Sequence, residues 1–208
     1  MRKYIFLLLM LLPLPLLAQN VAGANALLDR AVARIKADAA VQMDYSYLVY
    51  DDEGNLSYRD KGIMKLDNGR YALLMDNMKV WCNGKVQWSY MKDVDEIYIT
   101  DADSEEAENL SPLYIMEKYR TGYTVSLKER DGLAMVTFLS NDSEEEVNKL
   151  ELFIDEKTER LARMFIYMQE QGRVEVFLDN YKAKCSFAKK SYECPVKEFP
   201  TAEVIDMR

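Results

Sequence analysis

Side chains able to do covalent chemistry are scarce in this chain. It contains no histidine. That removes His-based triads, His metal ligands and the commonest general base. Its three cysteines are Cys82, Cys185 and Cys194, and they are not spaced as a zinc site. Cys185 and Cys194 lie close together in the polar segment FAKKSYECP. In an oxidising compartment they could close a small loop, a bridge contributing roughly 2–3 kcal/mol. Cys82 sits in a strand pattern and reads as a small apolar residue. The carboxylate pairs Asp51-Asp52 and Asp93-Asp95 fall in turns, where turn chemistry accounts for them. There is no G-x-S-x-G elbow, no P-loop and no dinucleotide glycine pattern. The expectation is a protein that is not an enzyme and takes no metal and no cofactor.

What remains is apolar surface of an adaptable kind. Met64, Met75, Met78, Met91, Met116, Met135, Met164 and Met168 fall in or beside strand patterns and one short helical segment. Methionine fits irregular partners and is over-used at promiscuous apolar surfaces. As a set, these residues suit a ligand cavity.

The elements that would position them follow in chain order. Arg2 and Lys3, the apolar run from Tyr4 to Leu17, and the small Ala18 form the pattern of a secretory signal peptide over residues 1–18, cleaved near Ala18. Pro13 and Pro15 argue against a permanent membrane span. A single domain over 19–208 is expected to follow. Losing Arg2 and Lys3 takes the formal net charge from −8 to −10. So acidic a chain is a poor partner for nucleic acid.

Over residues 23–39, Leu28, Val32 and Ile35 recur at helical spacing, widened by Leu27 and Ala31. This predicts one amphipathic helix in need of a partner surface. From Val41 the period drops to two, and short runs are separated by Gly, Asn and Asp. This is the rhythm of an antiparallel meander. Met78 to Thr100 is its clearest part. Asn83-Gly84 suits a two-residue turn with positive φ at both positions, and Val86, Trp88 and Tyr90 alternate with Gln87 and Ser89. The rhythm breaks after Asp101. An acidic stretch leads to Ser111-Pro112, a helix start, with Leu113, Tyr114 and Met116 on the greasy side. Long insertions of this kind are often lids or binding loops. Strand patterns resume at Tyr123 and run to Leu178. One large, strongly curved antiparallel sheet is expected, with the two helical segments over its apolar face.

Asn83-Gly84-Lys85 with Trp88-Ser89-Tyr90, then Ser111-Pro112-Leu113-Tyr114, Gly69-Arg70-Tyr71, Leu152-Phe153-Ile154-Asp155, and Phe199-Pro200 with Val204-Ile205-Asp206 occur in an order and spacing that resemble the periplasmic lipoprotein carriers of Gram-negative bacteria, LolA/LolB-like. The resemblance implies an α+β, mainly β fold: an incomplete, half-open antiparallel β-barrel, with an N-terminal helix and a short lid helix covering its apolar concave face. It also implies a periplasmic monomer. Such a carrier takes the acyl chains of lipoproteins from an inner-membrane release transporter and passes them to an outer-membrane acceptor. A sensor or regulatory domain on the same fold, binding lipid or lipoprotein, is the alternative. One departure stands out. Where many carriers place a basic residue and proline, this chain has Leu66-Asp67-Asn68, so the resemblance implies that its lid contact differs or that its lid closes more weakly.

On this reading the cavity is lined by Tyr58, Met64, Leu73, Met75, Trp88, Tyr90, Ile97, Ile99, Val125, Leu152, Ile154, Met164, Ile166 and Val176. Leu28, Val32 and Ile35 cover it from the helix, and Leu113 and Met116 from the lid. A one-residue register error on any strand would invert its face.

Overall fold

The computed structural model describes residues 14–104, 115–116, 118–169 and 172–208, and for 14–19 the backbone alone. Most of the expected signal segment, and Ser111, Pro112, Leu113 and Tyr114 of the expected lid, lie outside the described residues.

Helix α1 spans Leu14–Ala37. It starts ahead of the residue 23 predicted from periodicity and runs across Ala18 without a break. Its stripe of Ala24, Leu27, Leu28, Ala31, Val32 and Ile35 is buried. Arg34 and Lys36 occupy the last turn, where cations suit the negative end of the helix dipole. The helix stops before Ala39, whose φ of 57° is the left-handed conformation that commonly ends helices.

Among the described residues twelve strands follow: β1 (Ala40–Tyr50), β2 (Leu56–Asp67), β3 (Arg70–Met75), β4 (Met78–Cys82), β5 (Val86–Met91), β6 (Glu96–Asp101), β7 (Tyr123–Arg130), β8 (Leu133–Ser140), β9 (Val147–Asp155), β10 (Arg160–Met168), β11 (Gly172–Lys182) and β12 (Glu203–Asp206). They form one sheet in the order β12-β6-β5-β4-β3-β2-β1-β11-β10-β9-β8-β7. Two meanders, β1–β6 and β7–β11, are thus joined edge to edge by the β1–β11 pairing. The chain between β6 and β7 passes from near one end of the strand order to the other. The sheet is open, with β7 and β12 as its edges. β12 pairs with β6 in parallel, a departure from the all-antiparallel expectation.

Curvature has identifiable sources. Register shifts interrupt β1 against both neighbours, and β10 against β9; such bulges bend strands and increase twist. Gly62 in β2 is another source. A Cβ there would lie 1.9 Å from the Leu74 carbonyl oxygen, so only glycine allows β2 and β3 to approach this closely.

The sheet carries a core on each face. The larger lies on the concave side under α1. The smaller lies on the outer side of β3–β6 and contains Ala72, Trp81, Tyr90, Ile97 and Tyr192, with Trp88, Ile99, Phe187, Cys194 and Phe199 packed against it. Its cover is the C-terminal segment, which makes 3-10 turns at Lys189–Tyr192 and Val196–Glu198 before entering β12. Phe199 packs 4.2 Å from Tyr90 and 6.0 Å from Trp81, centroid to centroid.

Candidate functional site: the concave face and its roof

Cross-strand register assembles the site. Val41, Met43 and Tyr45 of β1 stand beside Met64 and Leu66 of β2, then Tyr71, Leu73 and Met75 of β3, then Val80 and Cys82 of β4. On the other meander, Val125, Phe138, Leu150, Leu152, Ile154, Met164, Val174 and Val176 extend the same surface. All are buried in one cluster with the α1 stripe and with Ile115, Met116 and Tyr119. Strands of both meanders therefore give their apolar sides to one concavity, roofed by a helix and by the described part of the β6–β7 connection.

Of the residues proposed to line a cavity, Met64, Leu73, Met75, Val125, Leu152, Ile154, Met164 and Val176 lie buried on this face, and Ile166 is partly buried there. Tyr58 is on the same face, opposite Val49, but at the rim and 38% exposed. Leu28, Val32, Ile35 and Met116 join the cluster from the roof.

Trp88, Tyr90, Ile97 and Ile99 are corrected: they belong to the outer core. The alternation in the hairpin is as read, but its apolar side is turned outward and sealed by the C-terminal segment. The inward side chains of β5 and β6 are instead Gln87, Ser89 and Met91, and Glu96, Tyr98 and Thr100. The Cys185–Cys194 bridge is also corrected. All three cysteines are free. The Cys185 thiol donates to the Lys182 carbonyl at 3.4 Å, while Cys194 packs on the outer core. Burial and the nearby Glu198 push the Cys194 thiol up to about 11.

Met43, Leu66 and Tyr71 were not among the residues expected to line the cavity, yet they are core members of the concave face. Met43 stands opposite Met64, Leu66 opposite Tyr71, and Tyr71 opposite Cys82, placements that follow only from strand register.

The roof is held unevenly. At its C-terminal end, the buried Asp38 accepts from Arg34 Nε at 3.2 Å and from the Tyr181 hydroxyl at 3.1 Å, with the Arg160 guanidinium 3.6 Å away. Burial, and then the Asp38 charge, push the Tyr181 hydroxyl well above its ordinary value. Elsewhere the attachments are thinner. Arg30 pairs with Glu159 at 3.0 Å, and Arg120 with Asp29 at 2.6 Å. Arg120 Nε also donates to the Met116 carbonyl at 3.2 Å, so one side chain ties the lid segment to α1. Asn20 bonds both backbone groups of Leu127 with its side-chain amide, covering part of the β7 edge.

The Leu66-Asp67-Asn68 departure has a structural counterpart. Asn68 and Gly69 take positive φ, 46° and 82°, as a two-residue hairpin turn requires. Asp67 pairs with Arg70, whose guanidinium lies 4.9 Å over the Tyr192 ring. The turn is therefore bound to the C-terminal segment.

At the rim, Tyr47 and Tyr58 meet edge to face at 6.3 Å. Beside them Asp60 is buried. Burial raises its carboxyl, but the main-chain N–H groups of Asn77, Lys61 and Asp76 outweigh that and hold it below the ordinary value. Among the described residues no group of three or more Cys, Asp or Glu could hold a metal ion, and no helix is long and apolar enough to cross a membrane. Such a face can bind apolar matter.

Comparison with known proteins agrees with this geometry. A search of curated sequences finds no significant match. Among solved structures, an uncharacterised conserved protein from Thermus thermophilus has a TM-score of 0.58 at 10% identity, covering 88% of this chain and 99% of that one. A LolA superfamily protein from Nitrosomonas europaea has 0.46 at 8% identity, covering 83% and 98%. The MucA/MucB complex of Pseudomonas aeruginosa has 0.41 at 12% identity, covering 84% and 62%. At such identities the likeness concerns the fold alone. The sequence itself matches, over residues 14–171, the family described as outer membrane lipoprotein carrier protein LolA. A mainly β, half-open barrel with an N-terminal helix over its apolar concavity is the fold of that family, and this chain is a member of it.

Proposed function

We propose that this protein is a periplasmic carrier that takes up the acyl chains of lipoproteins on its concave face and moves them from the inner to the outer membrane, by binding alone. Beyond family membership, the observation that carries this reading is an apolar face drawn from both meanders and covered by α1 and by residues of the β6–β7 connection. The signal-peptide pattern at residues 1–18 supports export.

Energetics favour exchange over tight capture. Burying one sixteen-carbon chain is worth about 13 kcal/mol at ~0.8 kcal/mol per CH₂. Three fully buried chains would exceed the ceiling of roughly −18 to −21 kcal/mol for non-covalent binding. Here Leu27, Leu28 and Val32 already occupy the face. Acyl chains would take their place, so the net gain is the difference between two apolar contacts. The Arg30–Glu159 and Arg120–Asp29 pairs are partly exposed, and such pairs contribute about 0–1 kcal/mol each. The Asp38 network is the natural pivot as the rest of the helix lifts.

The test is to purify the processed protein from its own cells and identify what accompanies it by mass spectrometry. Acylated lipoprotein is expected, and it should be lost in Leu73→Asp, which buries a charge on the concave face. Recovery of a non-acylated partner protein, bound equally well by Leu73→Asp, would replace the carrier with a sensor.

A further inference from the structure

The concave face is not uniformly apolar, and the boundary is sharp. One cross-strand row reads Tyr71, Cys82, Gln87, Thr100 from β3 to β6; the next reads Leu73, Val80, Ser89, Tyr98. Each row changes from largely apolar to polar between β4 and β5. The cause is the inverted hairpin: β5 and β6 send their apolar side chains to the outer core, which commits the polar ones to the concavity.

These polar groups are incompletely used. Gln87 is 3% exposed. Its carbonyl oxygen accepts from the Tyr71 hydroxyl, but its amide nitrogen reaches Ser89 Oγ only at 3.5 Å, the outer limit of a hydrogen bond. The Thr100 hydroxyl is buried without a partner. A buried polar group left unpaired costs stability, and these lie in adjacent positions beside apolar side chains.

We infer that the β5–β6 end of the concave face is a polar subsite for the ester or amide carbonyls of an acylated ligand, contacted by Gln87, Ser89 and Thr100. This rests on the acyl-carrier reading. Uncharged amide and hydroxyl donors match an uncharged carbonyl acceptor. An anionic phosphate is disfavoured, because Glu96 shares this face and accepts from the Tyr98 hydroxyl. Neighbouring strands are about 4.8 Å apart. A carbonyl held at Gln87 therefore leaves its acyl chain to run over Cys82, Val80 and Leu73.

The processed full-length protein is titrated with dioctanoylglycerol and with dioctylglycerol, an ether of equal chain length that lacks carbonyls. The diester is expected to bind about tenfold more tightly. Gln87→Leu and Thr100→Val should each reduce that advantage to about threefold or less and leave ether affinity within about twofold. Thr100→Val keeps the side-chain shape and removes only an unpartnered hydroxyl, so it remains informative if Gln87→Leu folds poorly by circular dichroism. Equal affinity for diester and diether in the unmodified protein, or an advantage that survives Thr100→Val, overturns the subsite. Dioctanoyl phosphatidylglycerol carries the same esters plus a phosphate. It should bind more weakly than the diacylglycerol, and tighter binding overturns the assignment to neutral carbonyls. If neither glycerol probe binds, the carrier reading itself falls.

Discussion

Trp81 and Trp88 are the only tryptophans in the chain, and both lie under the C-terminal segment. Tryptophan emission should therefore report the docking of that segment and not events on the concave face. Tyr192→Ala tests this. Tyr192 has no exposed surface. It packs edge to face on Phe187 at 6.2 Å and carries the Arg70 guanidinium over its ring. Truncating a buried aromatic ring costs ~3–5 kcal/mol, and the lost cation–π contact adds ~0.5–1 kcal/mol. That is enough to loosen the 3-10 turn around Tyr192 over the outer core, while Phe199 and the β12–β6 pairing still hold the rest of the segment and the sheet stays folded. The expected result is red-shifted emission, strand circular dichroism retained, and binding of an apolar dye within about twofold of the original, since no concave-face residue is touched. Tyr192→Phe removes a hydroxyl without a hydrogen-bond partner. Its emission should stay unchanged, with stability equal or up to ~1 kcal/mol higher. Loss of dye binding in Tyr192→Ala with emission unshifted would show the two faces to have been assigned the wrong way round.

Three further outcomes are expected. Gly62→Ala should lower stability by ~1–3 kcal/mol or more in urea titrations, because its Cβ would overlap the Leu74 carbonyl; an unchanged midpoint would mean that β2 and β3 do not approach so closely. Arg120→Ala should change stability by less than ~1 kcal/mol yet speed dye exchange by up to about fivefold, measured by stopped flow, because it frees the lid from Asp29; unchanged exchange would remove Arg120 as a latch. Cys194 should resist a thiol reagent at neutral pH and react as the pH nears 11. Its folded value lies above the ordinary 9.0, so the unfolded chain releases this proton first, and its contribution to stability is complete below about 9 and is lost as pH rises through 11. Rapid labelling of Cys194 in the folded protein at pH 8 would contradict its packing against the outer core.

Much of the sheet was legible from local pattern. The meander, the Asn83-Gly84 turn, the helix stripe and most inward positions of β2, β3, β7 and β9–β11 follow from period-two and period-3.6 alternation. The inverted face of β5 and β6 does not. Val86, Trp88 and Tyr90 alternate as clearly as Leu73 and Met75, but alternation says only that two faces differ. Which face is covered depends on Phe187, Tyr192 and Phe199, aromatics dispersed through a polar, aperiodic tail that joins the sheet from a hundred residues away. The free thiols escaped for a related reason: nearness in sequence did not reveal that Cys194, within that tail, turns toward the outer core. The helical stretch ahead of residue 23 was obscured because residues 14–18 read equally well as the end of an export signal.

The C-terminal segment also sets the order in which the protein can be completed. β3 to β6 are made early, and their outer aromatic face has no cover until residues 187–206 arrive. Contacts so distant in sequence form slowly, and a sheet with one apolar face open is prone to aggregate in the interval. A chain that has lost its last twenty or so residues would keep its ligand-facing surface and yet present Trp81, Tyr90 and Ile97 to solvent. Residues 187–206 thus decide whether the aromatic outer face of β3–β6 is sealed or open to association.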